Sequence, residues 1–438
     1  MKTKGFIFLM GFTVLVFKAG LAQENDIDKT LAYQYFQEAL TISSKDNALL
    51  WGEKLYGPML FVNPKNRVIV ANQQDKEGYL KREGNIYLGK LPKKENIANT
   101  AFTWAGYKWT MITWPLPENE FERANLMMHE LFHRIQDKIG FPAKNPINNH
   151  LDEKDGRILI QLEWQALKQA LNKTGEKQIT DIKSALLFRE YRRKIYPNAH
   201  SLESALELNE GLAEYTGVKL SGRDETAIRI HLSQKVDDAK NLPTFVRSFA
   251  YISGPIYGIL LDQTRVDWRK NLSKSIDLAD MLASVYQIEI PQNLEKEVES
   301  LSKFYDGDEI KKHEDERERE RQKRIENYRK KFVEGPIVII PLRNMNVQFD
   351  PRNLQPLDNL GTVYPNIRIS DNWGILTVIN GALMSSNWTN IYVSALNIPL
   401  EIIDTNHIKG DGWKLELNEG WKLVPSERKG DYLLKEIN

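Results

Sequence analysis

The sequence contains no cysteine among its 438 residues. This absence excludes disulfide bonds, thiol catalysis and a lipid attached through cysteine, so a metal would have to be held by histidine and carboxylates. No charge of one sign dominates either, because 60 Lys and Arg face 59 Asp and Glu, a formal net charge of +1. A chain without a strong net field has little attraction for a polyanion, and we expect no nucleic-acid partner.

Long hydrophobic runs are missing after the N-terminus. The first residues combine Lys2 and Lys4 with an apolar run over 5–17, followed by the small residues Gly20 and Ala22. This order is typical of a secretory signal peptide, and the run is shorter than the about 20 apolar residues that a spanning helix needs. We therefore predict a signal peptide at 1–22 and an exported protein, periplasmic or secreted, without a membrane span.

The segment 23–305 has mainly helical spacing of its apolar residues. Strand-like runs at its front, over 59–62, 67–71 and 107–114, predict a small β-sheet. The clearest helices are expected near 120–139, 156–171, 180–193, 201–220 and 254–264. We interpret the segment as one mainly α-helical domain with a small front sheet.

Two further segments follow. Residues 306–333 are nearly all charged, with Glu and Arg three or four positions apart, which favours a solvated helical connector held by its own ion pairs. The segment 334–438 has short β-rich runs between turn residues, which predict a β-sandwich, with a hairpin turn at 418–420. Its tryptophans are expected in the sandwich core, although a ligand-binding role stays open: Trp373, Trp388, Trp413 and Trp421. The predicted fold class is α+β.

The most informative motif is His129-Glu130-Leu131-Phe132-His133, which has the form HExxH. Residues i and i+4 of a helix lie on one face, so the two histidines can bind one cation. Glu130 lies about 100° further round the helix, where it can act as general base on a water without binding the metal. Asn119 and Glu122 form a capping box that starts the helix. The alternative is a chance match on a helix surface.

A catalytic zinc site also needs a third protein ligand and an open position. The better candidate is Glu210, within the segment Asn209–Tyr215, because it belongs to an acidic stripe with spacings of four, three and four. Like charges at these spacings repel, so the stripe calls for a cation or a counter-charged, solvated face. Glu163, among apolar residues of a predicted helix, and Glu153, in a polar run, are the rival ligands. The stripe comprises Glu203, Glu207, Glu210 and Glu214.

The two segments His129–His133 and Asn209–Tyr215 resemble the motifs of the gluzincin class of zinc metallopeptidases. The resemblance implies zinc held by the two histidines and Glu210, with Glu130 as general base. It also implies a peptide or protein substrate that adds as an extra strand along 107–114, taken as the sheet edge. The 76 residues between His133 and Glu210 depart from the common spacing, so the chain is not a close match to thermolysin or to the related aminopeptidases.

Supporting roles can be assigned to a few more residues. The developing oxyanion needs a donor besides the metal, and the candidates are Tyr215, Tyr251 and Tyr257. We predict Tyr257, because the segment 253–258 starts a helix at the rim of the expected site. Asp137 follows His133 by one turn and would orient its ring, or else form a surface ion pair.

These observations predict an exported zinc-dependent metallohydrolase, and specifically a peptidase. Two alternatives stay open. One is a non-catalytic binding or structural protein with a degenerate or structural metal site, and the other is a zinc amidase that acts on non-peptide substrates. The sequence does not indicate an oligomeric state.

Overall fold

The computed structural model describes residues 26–141, 143–272, 276–291, 293–350, 354–396, 401–404 and 406–437. The predicted signal peptide at 1–22 lies outside the described residues. Within them, no helix combines the length and the apolar character that crossing a membrane requires. Helices and three sheets occur in separate stretches of the chain, which confirms the α+β class.

The chain begins with helix α1 (Lys29–Asp46) and then forms a six-stranded front sheet. Its strands are β1 (Met59–Val62), β2 (Val68–Ala71), β3 (Lys81–Glu83), β4 (Ile86–Lys90), β5 (Thr100–Trp104) and β6 (Tyr107–Thr113), in the order β3-β4-β2-β1-β6-β5. The strand predicted at 107–114 is confirmed, but its place at the sheet edge is wrong. β6 pairs with β1 on one side and with β5 on the other, so β5 is the edge strand.

The helices that follow pack around one large hydrophobic core. All five helices predicted there are present, whereas α7, α9 and α10 were not predicted. The bounds are α2 (Glu120–Ile135), α3 (Lys154–Leu171), α4 (Gly175–Ile195), α5 (Ala199–Leu206), α6 (Leu212–Leu220), α7 (Glu225–Ala239), α8 (Ala250–Asp262), α9 (Leu278–Val285) and α10 (Leu294–Ser302). As predicted, Asn119 caps α2: its side chain accepts the backbone N–H groups of Phe121 and Glu122.

The helix predicted at 201–220 is interrupted by a π turn over Glu207–Gly211, between α5 and α6. Such turns widen a helix locally and are frequent at functional sites. The turn packs directly on α8, where a Cβ atom added to Gly254 would lie 2.3 Å from the Cα of Gly211. Only glycine permits this approach of two backbones, so the pair fixes the position of the π turn.

The charged segment forms helix α11 (Gly307–Arg329), ending in a second π turn over Lys330–Glu334. The helix is confirmed and has ion pairs of its own, but the expectation that it is a solvated connector is wrong for the face that meets α3. Glu314 is fully buried and accepts hydrogen bonds from Arg157 Nε at 2.6 Å and Gln161 Nε2 at 2.7 Å. One face of α11 therefore lies on α3, which supplies the opposite charges.

The C-terminal strands form two sheets that share one core, with inward residues such as Ile340, Ile369, Leu376 and Trp413. The first sheet has the order β18-β19-β7-β14-β13-β10-β9 and the second β15-β16-β17-β12-β11-β8. The strand bounds are β7 (Ile337–Pro341), β8 (Asn346–Phe349), β9 (Gln355–Leu357), β10 (Gly361–Tyr364), β11 (Ile367–Asp371), β12 (Gly374–Val378), β13 (Ala382–Ser385), β14 (Asn390–Ser394), β15 (Glu401–Asp404), β16 (His407–Gly410), β17 (Trp413–Leu417), β18 (Trp421–Pro425) and β19 (Tyr432–Glu436).

The hairpin predicted around 418–420 is wrong, because the connection crosses from one sheet to the other. β17 pairs with β12 and β16, whereas β18 pairs with β19. Trp373, Trp413 and Trp421 are buried in the shared core as expected. Trp388 is only partly buried and lines two surface cavities.

The second sandwich sheet is held against the front sheet through the loop that precedes β5. Arg368 of β11 donates to Asn96 Oδ1 at 2.7 Å and to the carbonyl of Lys93 at 3.0 Å. Asn96 in turn donates to Asn346 Oδ1 of β8 at 2.7 Å. The edge of the front sheet and the second sandwich sheet therefore face each other.

Candidate metal centre

His129, His133 and Glu210 lie together, and we call them the His-His-Glu cluster. The Nε2 atoms of the two histidines are 3.3 Å apart, and Glu210 Oε2 lies 3.6 Å from that of His129 and 3.4 Å from that of His133. Zinc bonds of about 2.0–2.1 Å in a tetrahedron put ligand atoms about 3.3–3.4 Å apart. The three atoms thus have the spacing of three corners of a zinc site.

The other ring nitrogens of the two histidines have acceptors that fix their tautomer. His129 Nδ1 lies 2.8 Å from Glu214 Oε2, and His133 Nδ1 lies 2.8 Å from Gln136 Oε1. An N–H donated from Nδ1 leaves the lone pair on Nε2, the atom that faces the centre of the cluster. Both rings are therefore oriented for metal binding.

The electrostatics of the cluster favour positive charge. Burial alone would lower the pKa of His129, but the contacts with Glu210 and Glu214 outweigh burial and raise it to about 10. Burial alone would raise the pKa of Glu210, but the two histidines hold it well below its ordinary value. The carboxylates thus stabilise a cation at the point where the imidazoles meet.

Glu130 lies beside the cluster and is 5% exposed. Burial raises its pKa, against the opposing effect of His129 and His133. Its Oε2 has no hydrogen-bond partner among the residues that the structure describes. A buried carboxylate with a free oxygen and a raised pKa is suited to accept a proton and release it again.

The tyrosine at the cluster is Tyr251 rather than Tyr257. The Tyr251 ring stacks on His129 with centroids 5.5 Å apart, and its hydroxyl donates to Glu210 Oε2 at 2.6 Å. Tyr257 is fully buried and donates to Glu163 instead, at 2.9 Å. Because the two tyrosines are six residues apart on α8, they point about 120° apart, and the assignment of Tyr257 to the oxyanion is corrected.

Both rival ligands are engaged away from the cluster. Glu163 is fully buried and its charge is matched by Arg189 at 2.9 Å and Arg192 at 2.7 Å. Glu153 precedes α3, where its half-exposed side chain pairs with Arg321 at 3.0 Å. Of the three acids considered as third ligand, the structure brings only Glu210 to the histidines.

The π turn divides the predicted acidic stripe into two pairs. Glu203 and Glu207 are fully buried against the arginines of α4: Arg192 Nε donates to Glu203 at 2.7 Å and Arg189 Nη1 to Glu207 at 3.0 Å. Glu210 and Glu214 face α2 and its histidines. No solvated acidic face results, since each of the four carboxylates has a buried counter-charge or histidine partner.

A chain of amides connects α2 to the π turn, and sequence reasoning missed it. Gln136 accepts from His133 and donates to Asn209 Oδ1 at 2.9 Å, and Asn209 donates to Asn145 Oδ1 at 2.8 Å. Gln136 takes the role proposed for Asp137, whose carboxylate pairs with Lys108 at 2.5 Å. The sequence feature that could have indicated this contact is the spacing of three residues from His133 to Gln136, because residues three apart on a helix are neighbours.

Two adjoining cavities open at the cluster. The first, of about 1030 Å³, is lined by His129, Glu130 and Tyr251, and the second, of about 680 Å³, by Glu210, Arg247 and Tyr251. One wall of both is formed by the edge strand β5 or the loop before it, and the opposite wall by β8. The two cavities share Tyr251 and form one cleft beside the cluster.

Comparisons of the chain with models of protein families, with curated proteins and with solved structures find no match.

Proposed function

We propose that this protein is an exported zinc-dependent metallohydrolase that cleaves peptide bonds, with Glu130 as general base. The observation that carries the proposal is the triangle of two Nε2 atoms and one carboxylate oxygen at 3.3–3.6 Å, beside a buried carboxylate with a free oxygen. The resemblance to the gluzincin motifs and the signal-like pattern of residues 1–22 support the same conclusion.

The chemistry follows from the residues around the cluster. His129, His133 and Glu210 would hold a zinc ion, which would supply Lewis acidity and lower the pKa of a bound water toward neutrality. Glu130 accepts the proton of the attacking water at Oε2 and passes it to the leaving nitrogen. Tyr251, whose hydroxyl already lies at the cluster, is positioned to donate to the developing oxyanion.

The cleft favours a peptide as substrate. β5 is an edge strand, so its unpaired N–H and C=O groups can pair with an extended peptide that adds to the front sheet. Both cavities are lined by residues of the cluster, of β8, and of β5 or the loop before it, and together they have room for an extended chain. A structural zinc site would instead be closed by a fourth protein ligand, and this difference disfavours the non-catalytic alternative.

The test is metal content and turnover of the purified mature protein. We expect one zinc per chain by elemental analysis after dialysis, and chelator-sensitive cleavage of a broad peptide library. Zinc should be lost in His129→Ala and Glu210→Ala but retained in Glu130→Gln, with cleavage lost in all three. Glu163→Gln is the matched control and should retain zinc.

Each alternative has its own result. Bound zinc without cleavage of any library peptide would contradict the peptidase and favour a non-catalytic protein, or an amidase if small amides are hydrolysed. No zinc in the wild type after reconstitution would contradict the metal centre itself.

A further inference from the structure

Two residues that line the second cavity, Arg247 and Tyr364, each have a buried hydrogen-bond donor without an acceptor among the described residues. Arg247 is 7% exposed, and among the described residues its Nε has no partner. Its two Nη atoms contact Asn145, with Nη2 at 2.8 Å from Oδ1 and Nη1 at 3.4 Å from the carbonyl. Tyr364 is fully buried, and its hydroxyl likewise has no partner within the described part of the chain.

The two donors come from different parts of the fold. Arg247 lies just before α8 in the helical part, and Tyr364 ends β10 of the sandwich. Both line the same cavity of about 680 Å³, which is also lined by Glu210 of the His-His-Glu cluster and by Tyr251. The sandwich thus contributes directly to the space next to the proposed reaction centre.

The chemistry of these donors selects an anion. Burying a donor without an acceptor is costly, and a guanidinium offers a fork of N–H groups that matches a carboxylate. Arg247 forms an ion pair with Glu210, but the distance of 3.6 Å between Nη2 and Oε1 is too long for a hydrogen bond.

The charge of the cavity lining also permits an anion once the cluster holds a metal. The charged residues that line the cavity are Glu95, Glu210 and Arg247. A divalent cation at the cluster more than offsets Glu210, which leaves the space around Arg247 positive.

We propose that the second cavity is a carboxylate subsite, in which Arg247 and Tyr364 hold a carboxylate of the substrate next to the His-His-Glu cluster. The inference rests on the proposed function, since it names acidic peptides as the substrate class. The carboxylate belongs either to the C-terminus of the peptide or to an Asp or Glu side chain. The ring of Tyr364 meets Phe349 edge-on at 5.1 Å between centroids, so an aromatic wall accompanies the charged group.

The test uses four labelled peptides of the sequence Gly-Ala-Phe-X-Ala-Leu, in which X is Gln or Glu and the C-terminus is free or amidated. Binding to the zinc-loaded Glu130→Gln protein is measured by fluorescence anisotropy, and cleavage by the wild type is measured separately. One of the two carboxylates should tighten binding by about tenfold to a hundredfold, and which one does so identifies the source.

Variants assign the effect to the subsite. The preference should disappear with Arg247→Gln and shrink with Tyr364→Phe, each combined with Glu130→Gln. Arg82→Gln, on the far strand β3, removes the same charge and should leave the preference unchanged. Because Arg247 lies near Glu210, zinc content is measured in parallel, and Tyr364→Phe decides the question if Arg247→Gln loses zinc.

Equal binding of all four peptides, or no binding of any, would overturn the subsite. A preference that survives both substitutions would overturn it as well. Carboxylate-dependent binding without cleavage of any peptide would overturn the proposed function alone and leave the subsite standing.

Discussion

The hydrogen bonds behind the two histidines should control zinc affinity. His129 Nδ1 is held by Glu214 and His133 Nδ1 by Gln136, each at 2.8 Å. Glu214 is also bound to Lys235, at 2.5 Å. The perturbation is to replace Glu214 and Gln136 one at a time, with Asp137→Ala as the matched control on the same helix end.

The magnitudes follow from the kind of bond that each variant removes. Glu214→Gln keeps an acceptor oxygen but loses the charge. The free energy of zinc binding should therefore weaken by about 1 kcal/mol, which lowers the affinity roughly fivefold. Glu214→Ala also leaves Lys235 unpaired and should cost about 2–3 kcal/mol, roughly thirtyfold to 150-fold. Gln136→Ala removes a neutral bond and should cost about 1 kcal/mol. Asp137→Ala should have no effect, because its exposed carboxylate contacts Lys108 rather than a ligand.

The assay is competition for zinc with a chromophoric chelator at neutral pH, with urea unfolding of the metal-free variants to separate affinity from stability. The expected order of weakening is Glu214→Ala first, then Glu214→Gln and Gln136→Ala, then Asp137→Ala. If Asp137→Ala weakens zinc binding as much as Gln136→Ala, the result would contradict a specific role of the hydrogen bond between Gln136 and His133. Unchanged affinity in Glu214→Ala would equally contradict a role of the hydrogen bond between Glu214 and His129.

Three further predictions concern stability and are measured by urea unfolding. Gly254→Ala forces a Cβ against the backbone of Gly211 and should destabilise the fold by about 1–3 kcal/mol; wild-type stability would show that α8 can shift. Arg157→Met leaves a buried carboxylate of α11 without its counter-charge and should lower the free energy of unfolding by about 3–5 kcal/mol. Arg319→Met, at an exposed position of the same helix, should lower it by less than about 0.5 kcal/mol. Burial alone would raise the pKa of Asp75, but the backbone N–H groups it accepts outweigh burial and lower it. Its folded-state pKa therefore lies below the unfolded value of 3.8. The free energy of unfolding of the wild type should exceed that of Asp75→Asn by a constant amount above about pH 5, and this difference should shrink as pH falls below about 4. A gap that is constant with pH would contradict the last prediction.

The part of the site that is local in sequence was predictable. The i, i+4 spacing of His129 and His133 and the cap at Asn119 are properties of one helix, and they need no tertiary information. Glu210 required a guess about a later helix, because its approach to the histidines depends on how α6 packs on α2. The acidic stripe narrowed that guess to four residues, and the Asn-Glu-Gly segment pointed to one of them.

The remaining features depend on tertiary packing that no local pattern reveals. Tyr251 and Tyr257 differ only in the rotation of α8 about its own axis. The sequence predicts that the charges of α11 are solvated, because it does not reveal a partner as distant as Arg157, which lies 157 residues before Glu314. β5 was not predicted, since only its last residue is buried and its periodicity is weak.

The π turn at Glu207–Gly211 makes the site sensitive to chain length as well as to residue type. A π turn holds one residue more than the corresponding α-helical turn, so deletion of one residue here would return the segment to regular winding. Glu207, which faces Arg189 of α4, and Glu210, which faces the histidines of α2, would then no longer keep their present relative directions. The number of residues in this segment, and not only their identity, therefore sets the direction in which Glu210 points.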